Sequence, residues 1–228
     1  MSAPPAADPI APDPADPIPP DPIPPDATDP ILLDPASRDL LFRAARTANA
    51  FADRPVTDAH LRAVQELARY GPTAFNAQPL RVVALRSPAA RQRLLPHLSP
   101  GNRDKTAAAP LTVILAADTG FDEHLPRLFP HRPGVRDWFA GDDNAAARER
   151  TARFNATLQI GYLIVGARAA GLATGPMAGF DPAGVDAEFF RDGRLRALLL
   201  LNLGYPAAGE PAHPRPPRLS ADDVLYDL

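Results

Sequence analysis

At residues 71–79 the chain reads Gly71-Pro72-Thr73-Ala74-Phe75-Asn76-Ala77-Gln78-Pro79, between a helical pattern over 61–70 and a strand pattern over 81–86. Gly71 and Pro72 end the helix, because glycine favours the C-terminal cap and proline lacks the N–H that a helix needs. Between the two prolines lie three short polar side chains, Thr73, Asn76 and Gln78, which offer both hydrogen-bond donors and acceptors. We therefore predict a polar loop beside a strand, suited to a flat heteroaromatic ligand. An ordinary helix-to-strand connection is the alternative.

Hydrophobic patterns on both sides of this loop predict helices and buried strands. Apolar spacing predicts a helix starting near residue 40, and further helices over 57–70, 87–98, 102–109, 148–171 and after Asp181. Buried strands are predicted over 81–86, 111–117 and 196–205. Residues 118–144 are irregular and rich in aromatic side chains, which favours a flap over a cleft. The three glycines and one proline of 171–181 predict a loop whose backbone can approach a ligand closely.

Composition divides the chain into a tail and a domain. Residues 1–34 repeat Asp-Pro units, which predicts a disordered tail, and residues 35–228 are predicted to form the folded domain. The tail holds seven Asp and no Lys or Arg, so the whole-chain charge of −3 leaves a net +4 for residues 35–228. So small a charge does not indicate nucleic-acid binding. The sequence has no Cys and no apolar run of about 20 residues, which favours a cytoplasmic protein without a membrane span.

Several short segments carry side chains that suit a phosphorylated ligand. Arg46, Thr47 and Asn49 offer a guanidinium and two polar groups within four residues. Asn102 and Lys105 share one face of a predicted helix and suit a polyol chain and a phosphate. The alternative for each is a solvated helix end. A metal site is not expected, because His124 and His131 have no carboxylate at ligand spacing.

Four motifs in this order resemble the nitroreductase-like flavoprotein family. They are Arg46-Thr47-Ala48-Asn49-Ala50-Phe51, the stretch from Pro72 to Pro79, Asn102-Arg103-Asp104-Lys105, and Pro176-Met177-Ala178-Gly179-Phe180-Asp181. Within that family the chain is similar to the malonic semialdehyde reductases of pyrimidine degradation. That similarity is carried by Ser99 to Lys105, Leu128 to His131, Thr174 to Asp181, Leu203 to Tyr205 and Pro217 to Ser220.

The resemblance implies an α+β fold with a central mixed sheet flanked by helices, and a homodimer with FMN at its interface. It implies that the following residues bind FMN: Arg46, Thr47, Asn49, Thr73, Asn76, Asn102, Lys105, Pro176, Met177, Gly179 and Arg218. Arg215 is a further candidate for the phosphate. Arg132 and Arg136 of the flap are predicted to bind a substrate carboxylate. No catalytic side chain is assigned, because the flavin carries the chemistry.

The implied reaction uses NADPH or NADH as co-substrate and reduces a small oxo-acid aldehyde. Malonic semialdehyde, giving 3-hydroxypropanoate, is the expected acceptor. The sequence has no G-x-G-x-x-G fingerprint, which fits a nicotinamide that visits the flavin and leaves. The alternatives are a broad-specificity nitroreductase or quinone reductase, and a flavin-binding protein without turnover.

Overall fold

The computed structural model of the chain describes residues 31–209 and 215–228. The chain divides into two compact units, Met1–Arg38 and Asp39–Leu228. In the described part of the first unit, Pro35–Arg38 forms helix α1, and the Ser37 N–H donates to the Asp34 carboxylate at 3.0 Å. The predicted tail falls mostly on residues 1–30, outside the described residues. The tail and the boundary at residue 35 therefore stay predictions.

The second unit is built on a four-stranded sheet in the order β1-β2-β4-β3. Its strands are β1 (Leu80–Leu85), β2 (Leu111–Asp118), β3 (Ala173–Met177) and β4 (Leu195–Gly204). All neighbouring strands pair antiparallel, so the prediction of a mixed sheet is wrong for these strands. The connection between β3 and β4 shows why they are antiparallel. It leaves and re-enters the sheet at the same end, so β4 runs in the direction opposite to β3. Parallel pairing in the described residues is confined to an isolated bridge between Thr47 and Thr174.

Helices cover both faces of the sheet, which explains why every residue of β2 is buried. The second unit contains α2 (Asp58–Ala68), α3 (Pro88–Leu94), α4 (Pro100–Ala108), α5 (Leu125–Leu128), α6 (Ala145–Ala169) and α7 (Pro182–Phe189). Val113 and Leu115 pack with α2 and α6, whereas Ile114 and Ala116 pack with α3 and α7. The alternation of side chains along β2 therefore separates two cores, one on each face. An α+β fold with a helix-flanked sheet is confirmed.

Helix α6 is the longest element and has two apolar faces. One face packs into the core that α6 shares with α2, and it contributes Ile160, Leu163 and Ala167. On the other face Phe154, Leu158 and Tyr162 are 66%, 43% and 47% exposed. These three side chains are four residues apart and form one stripe along the helix, which we call the α6 stripe. Within one copy of the chain, helix α6 therefore keeps an exposed apolar stripe.

Two segments differ from their predictions. Residues 173–177 form β3 rather than a loop, because pairing with β4 overrides the low strand propensity of Gly175 and Pro176. The helix expected from residue 40 is instead a π-helical turn, Asp39–Arg43.

The 121–144 region is packed rather than irregular. It contains the short helical turns Phe121–His124, α5, Pro133–Trp138 and Asp142–Asn144. Phe121, Val135 and Phe139 are buried against Ala152 and Ala156 of α6. No helix in the described ranges is both long enough and apolar enough to cross a bilayer.

Candidate functional site

The free edge of β3 positions the first set of predicted residues. Thr47 forms its bridge with Thr174 there, and the Ala48 N–H donates to the Thr174 carbonyl at 2.8 Å. Only glycine fits at position 175, because a Cβ there would lie 2.6 Å from the Ala48 carbonyl oxygen. The segment carrying Arg46 is thereby fixed against the sheet.

Four guanidinium groups converge beside this edge. Arg215 donates to the carbonyls of Arg43 and Ala45 at 2.5 and 2.7 Å, which brings the C-terminal arm onto the segment that carries Arg46. Partial burial, and then the charges of Arg46 and Arg218, lower the pKa of Arg215. Burial, and then the charge of Arg215, lower the pKa of Arg168. The hydrogen bonds of Arg215 place its guanidinium beside the segment that carries Arg46, and Arg168 and Arg218 are its other cationic neighbours.

The described residues do not neutralise this cluster. No carboxylate within 31–209 and 215–228 pairs with Arg46, Arg168, Arg215 or Arg218. Arg46 and Arg168 line a cavity of about 240 Å³ together with Asp39, whose carboxylate pairs with Arg43. The Arg168 Nε and Thr174 Oγ1 atoms are buried without a hydrogen-bond partner in this part of the chain. The site therefore has unmet donor capacity and excess positive charge, which suits a multiply charged anion.

The C-terminal end of β3 is held by α4. The Asn102 Nδ2 donates to the Gly179 carbonyl at 2.9 Å, and the Ser99 N–H donates to the same oxygen at 3.0 Å. Lys105 is half-buried on the same helix. Met177 is only 4% exposed and its sulfur lies 3.5 Å from Thr106 Oγ1, so its side chain belongs to the core. Only the Met177 backbone is left for the predicted contact with a ligand.

The 72–79 loop has an unusual backbone. Phe75, Asn76 and Gln78 adopt positive φ angles of 56°, 48° and 44°. For residues with a side chain this left-handed conformation costs roughly 1–2 kcal/mol each. Two buried side chains of α6 offset part of that cost: Asn155 Oδ1 accepts from the Ala74 N–H at 2.7 Å, and Gln159 Oε1 accepts from the Leu80 N–H at 2.9 Å.

Polar contacts within the loop settle the orientation of its side chains. Thr73 Oγ1 accepts from the Gln78 N–H at 3.2 Å. The Gln78 amide donates to Asn76 Oδ1 at 2.7 Å, while Asn76 Nδ2 donates to the Leu128 carbonyl at 3.0 Å. The loop and α5 are therefore joined by a hydrogen bond as well as by packing.

The Phe75 ring continues this link into the 121–144 region. It meets Phe129, Trp138 and Phe139 edge to face, with ring centroids 5.7–6.0 Å apart. The Arg132 guanidinium lies over the Trp138 ring, 4.9 Å from its centroid. The region is thus anchored to the loop by aromatic contacts rather than standing free as a flap.

The two predicted substrate residues have different surroundings. Arg136 Nε lies 3.9 Å from a carboxylate oxygen of Asp122, which is 6% exposed. No acidic side chain in the described ranges pairs with Arg132. Arg132 therefore remains a candidate for an anionic substrate, whereas the charge of Arg136 is already partly neutralised.

One copy of the chain does not bring all predicted residues together. Arg46, Thr47 and the Pro176–Gly179 segment lie beside β3, whereas Thr73 and Asn76 precede β1 at the opposite edge. Three strand spacings separate β3 from β1, which is roughly 14 Å before any offset along the strands. Sequence reasoning did not identify Arg168, Asn155 or Gln159 as site residues. Polar side chains within an otherwise apolar helix were the signal that could have revealed them.

Comparisons with known proteins identify the family of the chain. Residues 43–205 match the Nitroreductase family. A Streptomyces coelicolor protein with the provisional name NADH dehydrogenase/NAD(P)H nitroreductase is 52% identical over 81% of this chain and 90% of its own length. The chain belongs to the Nitroreductase family.

Solved structures share the fold. A Bacillus subtilis protein provisionally named a nitroreductase superposes with a TM-score of 0.75 at 20% identity, covering 85% of this chain and 99% of that one. An Exiguobacterium sibiricum protein of the same provisional name, solved in complex with FMN, gives 0.69 at 16% identity over 83% and 96%. At these identities the likeness concerns the fold alone.

Proposed function

We propose that this chain is an FMN-dependent oxidoreductase that uses NADPH or NADH to reduce a small organic acceptor. The observation that carries the proposal is the un-neutralised cluster of Arg46, Arg168, Arg215 and Arg218 at the edge of β3. The names of close relatives, NADH dehydrogenase/NAD(P)H nitroreductase, favour the same class of reaction.

The residues present fit FMN by their chemistry. A phosphate dianion would pair with the guanidiniums of Arg46, Arg215 and Arg218, and the exposed Thr47 and Asn49 side chains lie on the same segment. Asn102 and Lys105 supply an amide and an ammonium near the end of β3, where the Pro176–Gly179 backbone passes. Thr73 and Asn76 would face the ring. FMN, when bound, supplies the hydride chemistry that no side chain of this site provides.

We propose a homodimer in which each FMN is held by both copies. One copy would supply the arginine cluster and the β3 end, and the other would supply the 72–79 loop, because one copy keeps these sets at opposite sheet edges. The α6 stripe is an exposed apolar surface beside that loop, since the Tyr162 ring packs directly over Gly71. Burial of the stripe against a second copy would remove it from water.

The stripe offers a direct test of the dimer. Leu158→Glu places a charge in the middle of the proposed interface, so we expect a monomer in sedimentation velocity and at least about 30-fold weaker FMN binding. Ala187→Glu adds the same charge to the exposed face of α7, across the sheet, and should leave both properties unchanged. A Leu158→Glu protein that stays dimeric would contradict the placement of the interface.

Two acceptors are in question. The similarity to malonic semialdehyde reductases, together with Arg132 above Trp138, favours a small oxo-acid and in particular malonic semialdehyde. The names of the relatives favour nitro compounds or quinones as the second candidate. A flavoprotein without turnover is the third possibility.

One set of measurements tests the function. The purified protein should absorb near ~370 and ~450 nm, the bands expected of a bound flavin. NADH and NADPH oxidation should then be followed with malonic semialdehyde, a nitroaromatic and a quinone. The highest kcat/KM identifies the preferred acceptor. A protein that stays colourless and has no affinity for added FMN would refute the proposal.

A further inference from the structure

A large cleft adjoins the 72–79 loop on the side of α2 and α5. Its volume is about 790 Å³, and both Asn76 and Gln78 line it. Three arginines, Arg69, Arg81 and Arg127, line the cleft against a single carboxylate, that of Glu66. The cleft is therefore positively charged next to the loop proposed to face the flavin ring.

The basic groups differ in how far they are engaged. Arg81 pairs with the buried Asp118 at 2.6 Å and also donates to the Gln78 carbonyl at 3.0 Å, so it is part of the loop's support. Arg69 pairs with Glu66 at 3.2 Å. Arg127 is exposed, and within the described ranges neither an ion pair nor a hydrogen bond of its side chain is present. Arg127 is thus the cation of this cleft whose charge no neighbour satisfies.

The position of Arg127 relative to the loop is fixed by its neighbours. The next residue, Leu128, accepts the hydrogen bond from Asn76 Nδ2 at 3.0 Å. His124 lies three residues before Arg127, hence on the same side of these helical turns, and it lines the same cleft. The Arg127 guanidinium therefore lies one residue, and the His124 imidazole four residues or about one helical turn, before the residue that joins α5 to the loop.

We propose that this cleft binds the anionic group of a reactant, a carboxylate or a phosphate, and that Arg127 is the specificity-determining residue that pairs with it. The inference rests on the proposed flavin-dependent function. Arg132 and Arg136 do not line this cleft, and Asp122 already lies beside Arg136, so Arg127 is the arginine placed for an anion bound here. The anion has two sources, a carboxylate on the acceptor or the 2′-phosphate that distinguishes NADPH from NADH.

Matched reactants separate the two sources. KM is measured for 4-nitrobenzoate and nitrobenzene with NADH, and for NADPH and NADH with nitrobenzene. In one pair, Arg127→Ala should raise KM about tenfold for the member that carries the additional anionic group, the loss expected for one charge-assisted contact, and leave the member without it within twofold. Arg127→Lys should restore most of the loss. Arg191→Ala removes an exposed arginine outside the cleft and should have no effect.

Calorimetry on the FMN-loaded protein gives a readout without turnover. Benzoate is compared with benzamide, and adenosine 2′-phosphate with adenosine. Arg127→Ala should weaken the charged probe of one pair selectively. Equal effects on charged and neutral members of both pairs, or unchanged binding of both charged probes, would overturn the assignment. Absent turnover in the unaltered, FMN-loaded protein would count against the proposed function alone, and the calorimetric comparison on the same protein would still test the role of Arg127.

Discussion

Replacing both Arg46 and Arg215 by alanine is expected to weaken FMN binding by about a thousandfold, because two charge-assisted contacts to phosphate contribute roughly 1.5–3 kcal/mol each. Both guanidiniums belong to the cluster beside β3 in which Arg215 carries a lowered pKa. The measurement is a fluorescence titration of the flavin-free protein with FMN. It reports affinity directly and does not depend on the choice of acceptor.

Three further variants separate charge from scaffold. Arg215 also donates to the carbonyls of Arg43 and Ala45, so its loss also loosens this segment. Arg46→Ala alone avoids that effect and should still cost at least about tenfold. Arg46→Lys keeps the charge but loses the planar set of donors. Its FMN affinity should lie between those of the unaltered protein and Arg46→Ala. Arg62→Ala, an exposed arginine of α2, is the control. A dissociation constant within threefold of the unaltered protein for the double variant would exclude the cluster as the phosphate site.

The second large effect concerns Asp118, the carboxylate at the end of β2. It is 2% exposed and accepts from Arg81 at 2.6 Å, from Arg194 at 2.8 Å and from the Gly120 N–H at 2.9 Å. Asp118→Ala leaves two arginines facing each other without their shared partner. We expect the free energy of unfolding to fall by about 3 kcal/mol, measured by urea denaturation. Glu66→Ala breaks an exposed pair and should cost less than about 1 kcal/mol.

The pH dependence of stability gives an independent check on Asp118. Burial raises the pKa of this carboxyl, but the hydrogen bond from Arg194 and the charge of Arg81 outweigh burial, so the pKa lies below its ordinary value. A depressed pKa in the folded state means that the carboxylate contributes stability above its unfolded pKa. That contribution is lost as the pH falls below about 4, through the folded pKa. Asp118→Asn should flatten this part of the curve. If Asp118→Asn lost stability at acidic pH as the unaltered protein does, other carboxyl groups would dominate the pH dependence there.

The local sequence pattern was sufficient to predict most strands of the sheet and the helices packed on it. The strands predicted over 81–86, 111–117 and 196–205 agree with β1, β2 and β4 within one residue at each end. Continuous apolar runs make such strands readable, since both faces of the sheet are covered. β3 was missed because Gly175 and Pro176 are typical of loops. Its strand geometry comes from β4, a partner that local sequence does not show.

The candidate site was predictable as a set of segments but not as an arrangement. The motif at 72–79 contains Thr73, Asn76 and Gln78, but its residue types do not indicate the left-handed backbone at Phe75. That conformation depends on Asn155 and Gln159, which lie some 80 residues further along the chain. Arg168 joins the cluster only through the packing of α6 beside the π-helical turn. Long-range contacts of this kind carry no local signature.

The contact between Thr47 and Thr174 also bears on how the protein avoids aggregation through the edge of its sheet. An outer strand exposes unpaired N–H and C=O groups that invite another chain to add on and extend the sheet. β3 has only five residues, Pro176 offers no N–H, and the segment at Thr47 and Ala48 pairs with its outer side at Thr174. The segment that carries Arg46 therefore also shields the edge of β3 against the addition of a strand from another chain.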